Sequence, residues 1–283
     1  MAAREPKAAA SWLRTDGRVA IMGILNVTPD SFSDGGLFLS PDKALRHAEA
    51  LVEAGADIID VGGESTRPGA RPVSPDEECA RVVPVVEALH ARVPVPLSVD
   101  TSEPRVMSEA VAAGASFIND VRALTRPGAL AMAAALEVPV CLMHEPAGSS
   151  MIGTRIAGRD VVTEVLSYLE ARLRAAQGAG IPRARILIDP GFGFGKDLAE
   201  NQALLRALPR IAALAPVLAG LSRKRMTGEP WGLPVDGRLH TSIALALAAI
   251  KGGARVVRVQ DVRATWEAVR AWEWVFEPKE WVA

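Results

Sequence analysis

Short apolar segments rich in β-branched residues alternate along the chain with longer amphipathic segments. The short segments predict eight strands, at 19–27, 57–63, 96–100, 116–120, 138–144, 185–191, 217–222 and 256–262. The longer segments predict a helix after each strand, at roughly 41–55, 76–92, 104–113, 128–136, 160–179, 200–208, 238–251 and 263–276. Strands that are apolar throughout are typical of a parallel sheet covered on both faces. The pattern therefore predicts an α/β protein built from repeated βα units.

The number of these units favours one domain over two. A chain of 283 residues could form two domains, but α/β barrels of this size commonly fold as one. We find no internal linker and no glycine-rich dinucleotide fingerprint, since GFGFGK at 191–196 lacks the required spacing. We predict a single (βα)8 TIM barrel over residues 1–283, with 1–17 as a flexible or loosely packed N-terminal extension. Gly55, Gly114 and Gly253, at three helix-to-strand joins, are predicted helix C-caps.

Composition and charge narrow the range of partners. The formal net charge is −1 and no lysine- or arginine-rich block occurs, so we expect neither nucleic acid nor a membrane surface as a partner. The N-terminal segment lacks the apolar stretch of a signal peptide, and the longest apolar run, IAALAPVLAGL, is too short to span a bilayer. We expect a cytoplasmic protein that acts on small molecules. Cys79 and Cys141 have no nearby cysteine and are expected to be reduced core thiols.

Polar residues end all eight predicted strands. They are Asn26, Glu64, Asp100, Asn119 with Asp120, His144, Asp189, Ser222 with Arg223 and Lys224, and Arg258 with Gln260 and Asp261. Any one of them could simply end a strand or cap the next helix. Taken together they favour a binding site, because the carboxyl ends of the strands form the active-site face of such barrels.

Three loops on this face are unusually long. They are TPDSFSDGGLFLS after the first strand, ESTRPGARPVS after the second and EPAGSSMIGTRIAG after the fifth. Long loops without secondary structure are usually functional, although a disordered surface insertion is the alternative. Glycines and Pro-Asp steps give the first two loops hinges, so we interpret them as lids with Phe32 and Pro68 as apolar tips.

The motifs on these loops and strand ends resemble those of the dihydropteroate synthases. ILNVTPDSFSDGG and IIDVGGESTRPGA are similar to the two signature loops of that family, and SVDT, IND, MH, DPGFGFGK, LSRK and VRV-DV follow in the family's order, over about residues 19–270. The resemblance implies a folate-pathway transferase that joins 6-hydroxymethyl-7,8-dihydropterin pyrophosphate to p-aminobenzoate and releases pyrophosphate. Pterin-dependent methyltransferases share the barrel but lack the first-loop motif.

The resemblance also implies roles for individual residues toward the pterin pyrophosphate. It assigns Asp100, Asn119, Asp189 and Lys224 to the pterin ring, and Thr66, Arg258 and Gln260 to the pterin pyrophosphate substrate, mainly its pyrophosphate. Asn26 would help to hold a substrate-borne Mg²⁺. The methylene beside the pterin can lose pyrophosphate as a stabilised carbocation, so no protein nucleophile is required.

Further roles concern the second substrate and the assembly. The resemblance places Phe32, Arg67, Pro68 and Phe194 around p-aminobenzoate, near Lys224 and Ser222. Lys224 and Arg258 are the implied catalytic residues, and Asp34 is our hypothesis for a group that faces the cation or the attacking amine. The family also forms homodimers and is a target of sulfonamides.

The sequence departs from the family pattern at several positions. Gln260 stands where the family usually has histidine, Thr241 stands where a glycine is usual, and MH is followed by EPAG. Glutamine keeps a hydrogen-bond donor but lacks positive charge, so we expect an active enzyme with weaker pyrophosphate binding. The alternative is a non-catalytic pterin-binding paralogue.

Overall fold

Eight parallel strands form the centre of the molecule. The computed structural model describes residues 17–28, 41–64, 73–146 and 160–276. The strands are β1 (Ala20–Asn26), β2 (Ile58–Gly62), β3 (Leu97–Asp100), β4 (Phe117–Asp120), β5 (Val140–Met143), β6 (Ile186–Asp189), β7 (Val217–Ala219) and β8 (Ala254–Val259). Each strand pairs in parallel with the next, and β8 pairs with β1 to close the barrel. The predicted (βα)8 fold is confirmed.

The helices pack around the barrel. Those in the described ranges are α1 (Pro41–Glu53), α2 (Pro75–Arg92), α3 (Pro104–Ala112), α4 (Ala129–Leu136), α5 (Val161–Gly178), α6 (Leu198–Arg206), α7 (Leu208–Ala212), α8 (Leu239–Lys251) and α9 (Val262–Phe276). The single helix predicted at 200–208 was wrong, because the chain forms α6 and then α7, with Ala207 between them. Pro209 explains the break, since proline has no N–H to donate to the carbonyl of Leu205, four residues earlier, and its ring would clash with that carbonyl in a continuous helix.

Several predicted strand bounds also differ from the structure, most of all the ends of β7 and β8. β7 ends at Ala219 and β8 ends at Val259, three residues before their predicted ends. The last ladder pair between them is Ala219 with Val257. Beyond that point the N–H of Gln260 donates to the Ser222 hydroxyl at 3.3 Å instead of to a neighbouring strand. Residues 220–222 and 260–261 therefore lie in loops at the mouth.

The apolar side chains form two cores. The smaller core fills the barrel and contains Ala20, Met22, Ile58, Phe117, Cys141, Leu187, Leu218 and Val256. The larger core lies between the strands and the helices. Cys79 and Cys141 are both buried free thiols, as predicted. This double burial explains why the strand segments are apolar throughout.

Glycine is required at the three predicted helix-to-strand joins. Gly55, Gly114 and Gly253 have φ angles of +103°, +117° and +101°, which side-chain-bearing residues rarely adopt. A Cβ atom at Gly55 would lie 2.5 Å from Trp266, and one at Gly114 would lie 2.3 Å from His90. These positions combine a left-handed backbone with close packing, so the predicted C-caps are confirmed.

Among the described helices, none has the length and apolar character needed to cross a bilayer.

Candidate active site

Polar side chains reach the barrel mouth from strands whose earlier residues fill the interior. Ile58, Phe117, Leu187 and Val256 belong to the interior core. Side chains on a strand alternate between its two faces, so residues two positions later also point inward. Those residues are Asp60, Asn119, Asp189 and Arg258. The alternation of the strands thus brings charged and amide groups together above an apolar plug.

Arg258 lies at the centre of this group. Its Nε donates to Asp60 Oδ2 at 2.6 Å, and its Nη2 donates to Asp100 Oδ2 at 2.8 Å. Asp60 also accepts hydrogen bonds from Ser98 Oγ at 2.5 Å and from Asn119 Nδ2 at 3.1 Å. One carboxylate therefore orients both the guanidinium of Arg258 and the amide of Asn119.

Asp60 is absent from the residues predicted as site members, although it is 0% exposed and has three hydrogen-bonding partners. Asp60 lies in the middle of β2, so a search restricted to residues at strand ends does not find it. The sequence does contain a signal. A buried charge needs partners, and Asp60 stands in the strand IIDVG, which is otherwise apolar and buried throughout.

Burial and charge act in opposite directions on this cluster. Burial raises the pKa of Asp100, and the nearby Asp60 raises it further, whereas Arg258 lowers it. Burial alone would lower the pKa of Arg258, but Asp60 and Asp100 raise it above its ordinary value. The guanidinium is therefore fixed in its charged form.

Asp189 and Lys224 form a second cluster across the mouth. Asp189 Oδ1 accepts a hydrogen bond from the Gly191 N–H at 2.7 Å. Lys224 Nζ donates to the Phe192 carbonyl at 2.6 Å and lies 4.6 Å from the centre of the Phe194 ring. Burial lowers the pKa of Lys224 to about 8, while Asp189 acts in the opposite direction. Burial likewise raises the pKa of Asp189, and Lys224 opposes that shift.

The two clusters face a shared space over Gly220. A Cβ atom placed on Gly220 would lie 3.6 Å from Lys224 Nζ, 4.0 Å from Asp189 Oδ2 and 3.9 Å from Arg258 Cβ. The missing side chain keeps this point open between an ammonium, a carboxylate and the stem of the arginine. A flat ligand with both donors and acceptors along one edge would complement these groups.

Gln260 lies at the edge of the mouth, after β8. Its N–H donates to Ser222 Oγ at 3.3 Å, which ties the β7 and β8 loops together. Its buried Oε1 has no hydrogen-bond partner among the described residues. A buried amide oxygen without a partner is costly, so this side chain is poised to meet a donor.

Arg223, which was predicted at the mouth, and Thr241, which departs from the family pattern, both have structural roles. Arg223 makes a two-point ion pair with Asp261, with Nε to Oδ2 at 2.9 Å and Nη2 to Oδ1 at 2.5 Å. The Thr241 hydroxyl, in the first turn of α8, shares its one proton between the backbone carbonyls of Thr227 and Arg238. The departure at Thr241 is thus accommodated by local backbone hydrogen bonds.

Three of the strand-end residues contact the turn after β4 or a helix outside the barrel. Asp120 caps the chain after β4, accepting from the N–H groups of Arg122 and Leu124 at 2.8 and 2.7 Å. Glu64 pairs with Arg122 at 3.8 Å. His144 Nε2 lies 3.4 Å from Glu164 on α5, and its ring packs edge-on against Tyr168. Asp120 therefore ends its strand in a turn, and α4 begins only at Ala129.

Asn26 ends β1 beside the Asp60 and Asp100 cluster. Its Oδ1 and the Oδ2 of Asp100 each lie 3.8 Å from the position of a Cβ on Gly62. These two oxygens therefore flank the same glycine. Within the described ranges, no group of three His, Cys, Asp or Glu side chains could hold a metal ion.

Comparisons with known proteins identify the family of this chain. The family model for pterin binding enzymes matches residues 22–260. The dihydropteroate synthase of Escherichia coli K12 is 48% identical over 261 residues, covering 92% of this chain and 93% of that protein. The Xanthomonas albilineans dihydropteroate synthase structure with 4-aminobenzoic acid superimposes with a TM-score of 0.86 at 53% identity, covering 91% of this chain and 93% of that one. The chain belongs to the dihydropteroate synthase family.

Two further structures of this family carry informative ligands. The Xanthomonas albilineans dihydropteroate synthase in complex with 7,8-dihydropteroate has a TM-score of 0.83 at 50% identity, with 91% of this chain and 94% of that one covered. The Yersinia pestis enzyme in a sulfonamide drug complex has a TM-score of 0.86 at 46% identity, with 93% and 95% covered. The predicted identification as a dihydropteroate synthase, and hence as a transferase, is confirmed.

The structure brings together only part of the predicted site. Asp100, Asn119, Asp189, Lys224 and Arg258 converge at the mouth, with Asn26, Phe194, Ser222 and Gln260 around them. The other predicted site residues, Phe32, Asp34, Thr66, Arg67 and Pro68, lie outside the described residues, as do most of the three long loops and the segment 1–16.

Proposed function

We propose that this mouth joins 6-hydroxymethyl-7,8-dihydropterin pyrophosphate to p-aminobenzoate, giving 7,8-dihydropteroate and pyrophosphate. One observation carries the proposal: Asp100, Asn119 and Asp189 project from strands β3, β4 and β6 toward the space that Arg258 and Lys224 also border. Family membership supports the same reaction.

The pterin ring fits the carboxylate and amide groups. Its aminopyrimidine edge presents an exocyclic amine and ring nitrogens, which need acceptors and a donor in one plane. We assign Asp189, Asn119 and Asp100 to this edge, and Lys224 to the same pocket. Charge-assisted hydrogen bonds from buried carboxylates discriminate more strongly than neutral ones, which suits recognition of a polar heterocycle in a small pocket.

Arg258 is our candidate for binding the leaving pyrophosphate. A guanidinium has five N–H donors, and its contacts with Asp60 and Asp100 use two of them. The remaining donors can therefore bind phosphate oxygens without breaking either ion pair. Arg258 would then stabilise the charge that develops as the bond to pyrophosphate breaks and the pterin methylene becomes a cation.

Mg²⁺ is the cofactor we propose, brought by the pyrophosphate. Mg²⁺ usually keeps several waters and binds through one or two protein oxygens plus phosphate, which suits the amide oxygen of Asn26 at the end of β1. The Asp100 oxygen that flanks the same glycine adds negative charge nearby. When bound, the ion would neutralise the leaving group.

The second substrate would enter beside Phe194. The Phe194 ring and the Lys224 ammonium, 4.6 Å apart, offer an aromatic face and a positive charge to an aromatic carboxylate. Ser222 lies on the neighbouring loop. Of the predicted residues outside the described ranges, Phe32, Arg67 and Pro68 would complete this pocket, Thr66 would contact the pterin pyrophosphate, and Asp34 would act near the reacting carbon.

Release of pyrophosphate tests the proposal directly. We expect release to require the pterin pyrophosphate, p-aminobenzoate and Mg²⁺ together. A coupled phosphate assay measures the pyrophosphate that is released. Binding of the pterin without turnover would instead favour a non-catalytic paralogue. The departure at Gln260 and the unpaired Oε1 that it leaves are the features that favour this second candidate.

Gln260→His tests how the departure affects binding. A protonated imidazole would add positive charge near the leaving group, so the Michaelis constant for the pterin pyrophosphate should fall about tenfold. Gln177→His, on the exposed outer surface of α5, is the matched control and should leave it unchanged. An unchanged Michaelis constant in Gln260→His would contradict our account. The homodimer and the cytoplasmic location stay predictions.

A further inference from the structure

Lys196, the last residue of the motif GFGFGK, is buried in the loop that follows β6. It is 4% exposed, and its ammonium donates to three backbone carbonyls. The acceptors are Gly191 at 2.8 Å, Phe194 at 3.0 Å and His144 at 3.3 Å. A charged group is rarely buried to this degree without a specific set of partners. The reaction proposed above gives Lys196 no task.

We propose that Lys196 is a positioning residue that sets the pterin-binding carboxylate of Asp189 and the Phe194 ring through their shared loop. The inference rests on the proposed function, because it assigns a purpose to Lys196 only if those two groups bind the two substrates.

The first link runs from Lys196 to Asp189 through Gly191. Lys196 Nζ binds the carbonyl of Gly191, and the N–H of Gly191 donates to Asp189 Oδ1 at 2.7 Å. Gly191 has a φ angle of +69°, and a Cβ atom there would lie 2.0 Å from the His144 carbonyl oxygen. The backbone at Gly191 is thus held against the end of β5, so the donor to Asp189 has a fixed direction.

The second link runs from Lys196 to Phe194. The Phe194 carbonyl binds Lys196, and the Phe194 N–H donates to the Gly191 carbonyl at 3.2 Å. Lys224 contacts the same loop from the other side, through the Phe192 carbonyl and the Phe194 ring. Two lysines therefore hold this loop, one inside it and one at the mouth.

Lys196 also acts on Asp189 through its charge. The groups that face the Asp189 carboxyl are Lys224 after β7, Arg258 on β8, Lys196 and the Gly191 N–H after β6, and the Cys141 thiol on β5. Burial raises the pKa of Asp189, and Lys224, the Gly191 N–H, Lys196 and Arg258 lower it. The His144 backbone joins this loop, through its N–H to the Asp189 carbonyl and its carbonyl to Lys196, while its ring packs on Tyr168 and Glu164.

Removing the charge of Lys196 should therefore have two effects. A residue that only supports the loop structurally would not produce both of them. In Lys196→Met the Michaelis constant for the pterin pyrophosphate should rise about tenfold, the loss expected for one charge-assisted hydrogen bond. The acid limb of kcat/KM should also move to higher pH, because a less stabilised Asp189 carboxylate protonates more readily.

Asn201→Ala is the matched control for loop scaffolding. Asn201 accepts from the Gly193 N–H at 2.7 Å and donates to the carbonyls of Lys196 and Asp197, so it braces the same loop without charge. We expect Asn201→Ala to leave the acid limb where it is in the wild type. Lys196→Arg, which keeps the charge, should retain the wild-type limb even if its packing lowers kcat.

The measurement is steady-state pyrophosphate release between pH 5 and pH 9, with circular dichroism to confirm folding. An unmoved acid limb in Lys196→Met, or an equal movement in Asn201→Ala, would overturn the assignment. Lys196→Gln serves as a second neutral variant if the methionine variant does not fold, and loss of folding in all three Lys196 variants would make Lys196 a folding residue instead. Wild-type turnover is measured first, so that an inactive wild type counts against the proposed function and not against Lys196.

Discussion

Replacing Asp60 with asparagine removes the charge that orients both Arg258 and Asn119. Breaking a buried ion pair by removing one partner typically costs 3–5 kcal/mol. Asp100 remains beside Arg258 at 2.8 Å, and the asparagine oxygen can still accept from Ser98, so we expect the low end of that range. The amide donor would face the donors of Arg258 or Asn119. We therefore predict a loss of about 3 kcal/mol in the free energy of unfolding.

Substrate binding should suffer as well. The pterin contact proposed for Asn119 and the pyrophosphate contact proposed for Arg258 would both lose their fixed orientation, so kcat/KM for the pterin pyrophosphate should fall about a hundredfold, equivalent to roughly 2.7 kcal/mol. Urea unfolding followed by circular dichroism measures the stability, and pyrophosphate release measures the activity.

Asp57→Asn is the control, because Asp57 lies just before the other end of β2 and accepts from the Ile21 N–H at 2.9 Å. Asparagine keeps that acceptor and Asp57 is only partly buried, so the loss in free energy of unfolding should be clearly smaller than the loss in Asp60→Asn. If Asp60→Asn matched this control in stability and in kcat/KM, the role given to Asp60 would be wrong.

Two further predictions concern titrating groups. Burial lowers the pKa of Lys224 to about 8, so kcat/KM for the pterin pyrophosphate should decline above that pH as the ammonium is lost, and Lys224→Arg should remove this alkaline limb from a rate profile. Burial raises the pKa of Glu78 from 4.5 to about 7, and its Oε1 has no partner among the described residues. Glu78 therefore stabilises the fold most below pH 4.5, and that contribution is lost as pH rises through about 7. Glu78→Gln should therefore make the free energy of unfolding less dependent on pH and raise it at pH 8 by at most about 3 kcal/mol. Urea unfolding at several pH values measures this. An unchanged dependence on pH would contradict the raised pKa of Glu78.

Most of the fold could be predicted from local patterns, because each strand is covered on both faces and so consists of apolar residues. The predicted boundaries of helices and strands were wrong where a proline or a side-chain hydrogen bond ended the element. Pro209 divided one predicted helix into α6 and α7, and one hydrogen bond from the Gln260 N–H to the Ser222 side chain replaced the ladder after Ala219 and Val259. An apolar residue follows within three positions of each point, Leu221 and Val262, so hydrophobicity alone could not locate the strand ends.

The site was harder to predict because the ends of strands carry polar residues of two kinds. Asp120 and Asn119 are neighbours, yet Asp120 caps the chain outside the barrel while Asn119 points into the mouth. The period of two separates them, since Asn119 stands two residues after the interior residue Phe117 and Asp120 stands three after it. Which inward groups pair with each other depends on the register between strands, which no local pattern contains.

The alternation of side chains along β8 also explains where Gln260, which stands in place of the usual histidine, lies in the site. Gln260 stands two residues after Arg258 and four after the interior residue Val256, so β8 directs it toward the mouth just beyond the ladder. Its N–H is held by Ser222, and its Oε1 is buried without a partner. A neutral amide in this position can accept a hydrogen bond but adds no charge, so the positive charges that the described mouth offers a pyrophosphate are those of Arg258 and Lys224. With Asp60 and Asp100 already paired to Arg258, binding of the leaving group should depend strongly on the counter-charge that the proposed Mg²⁺ would supply.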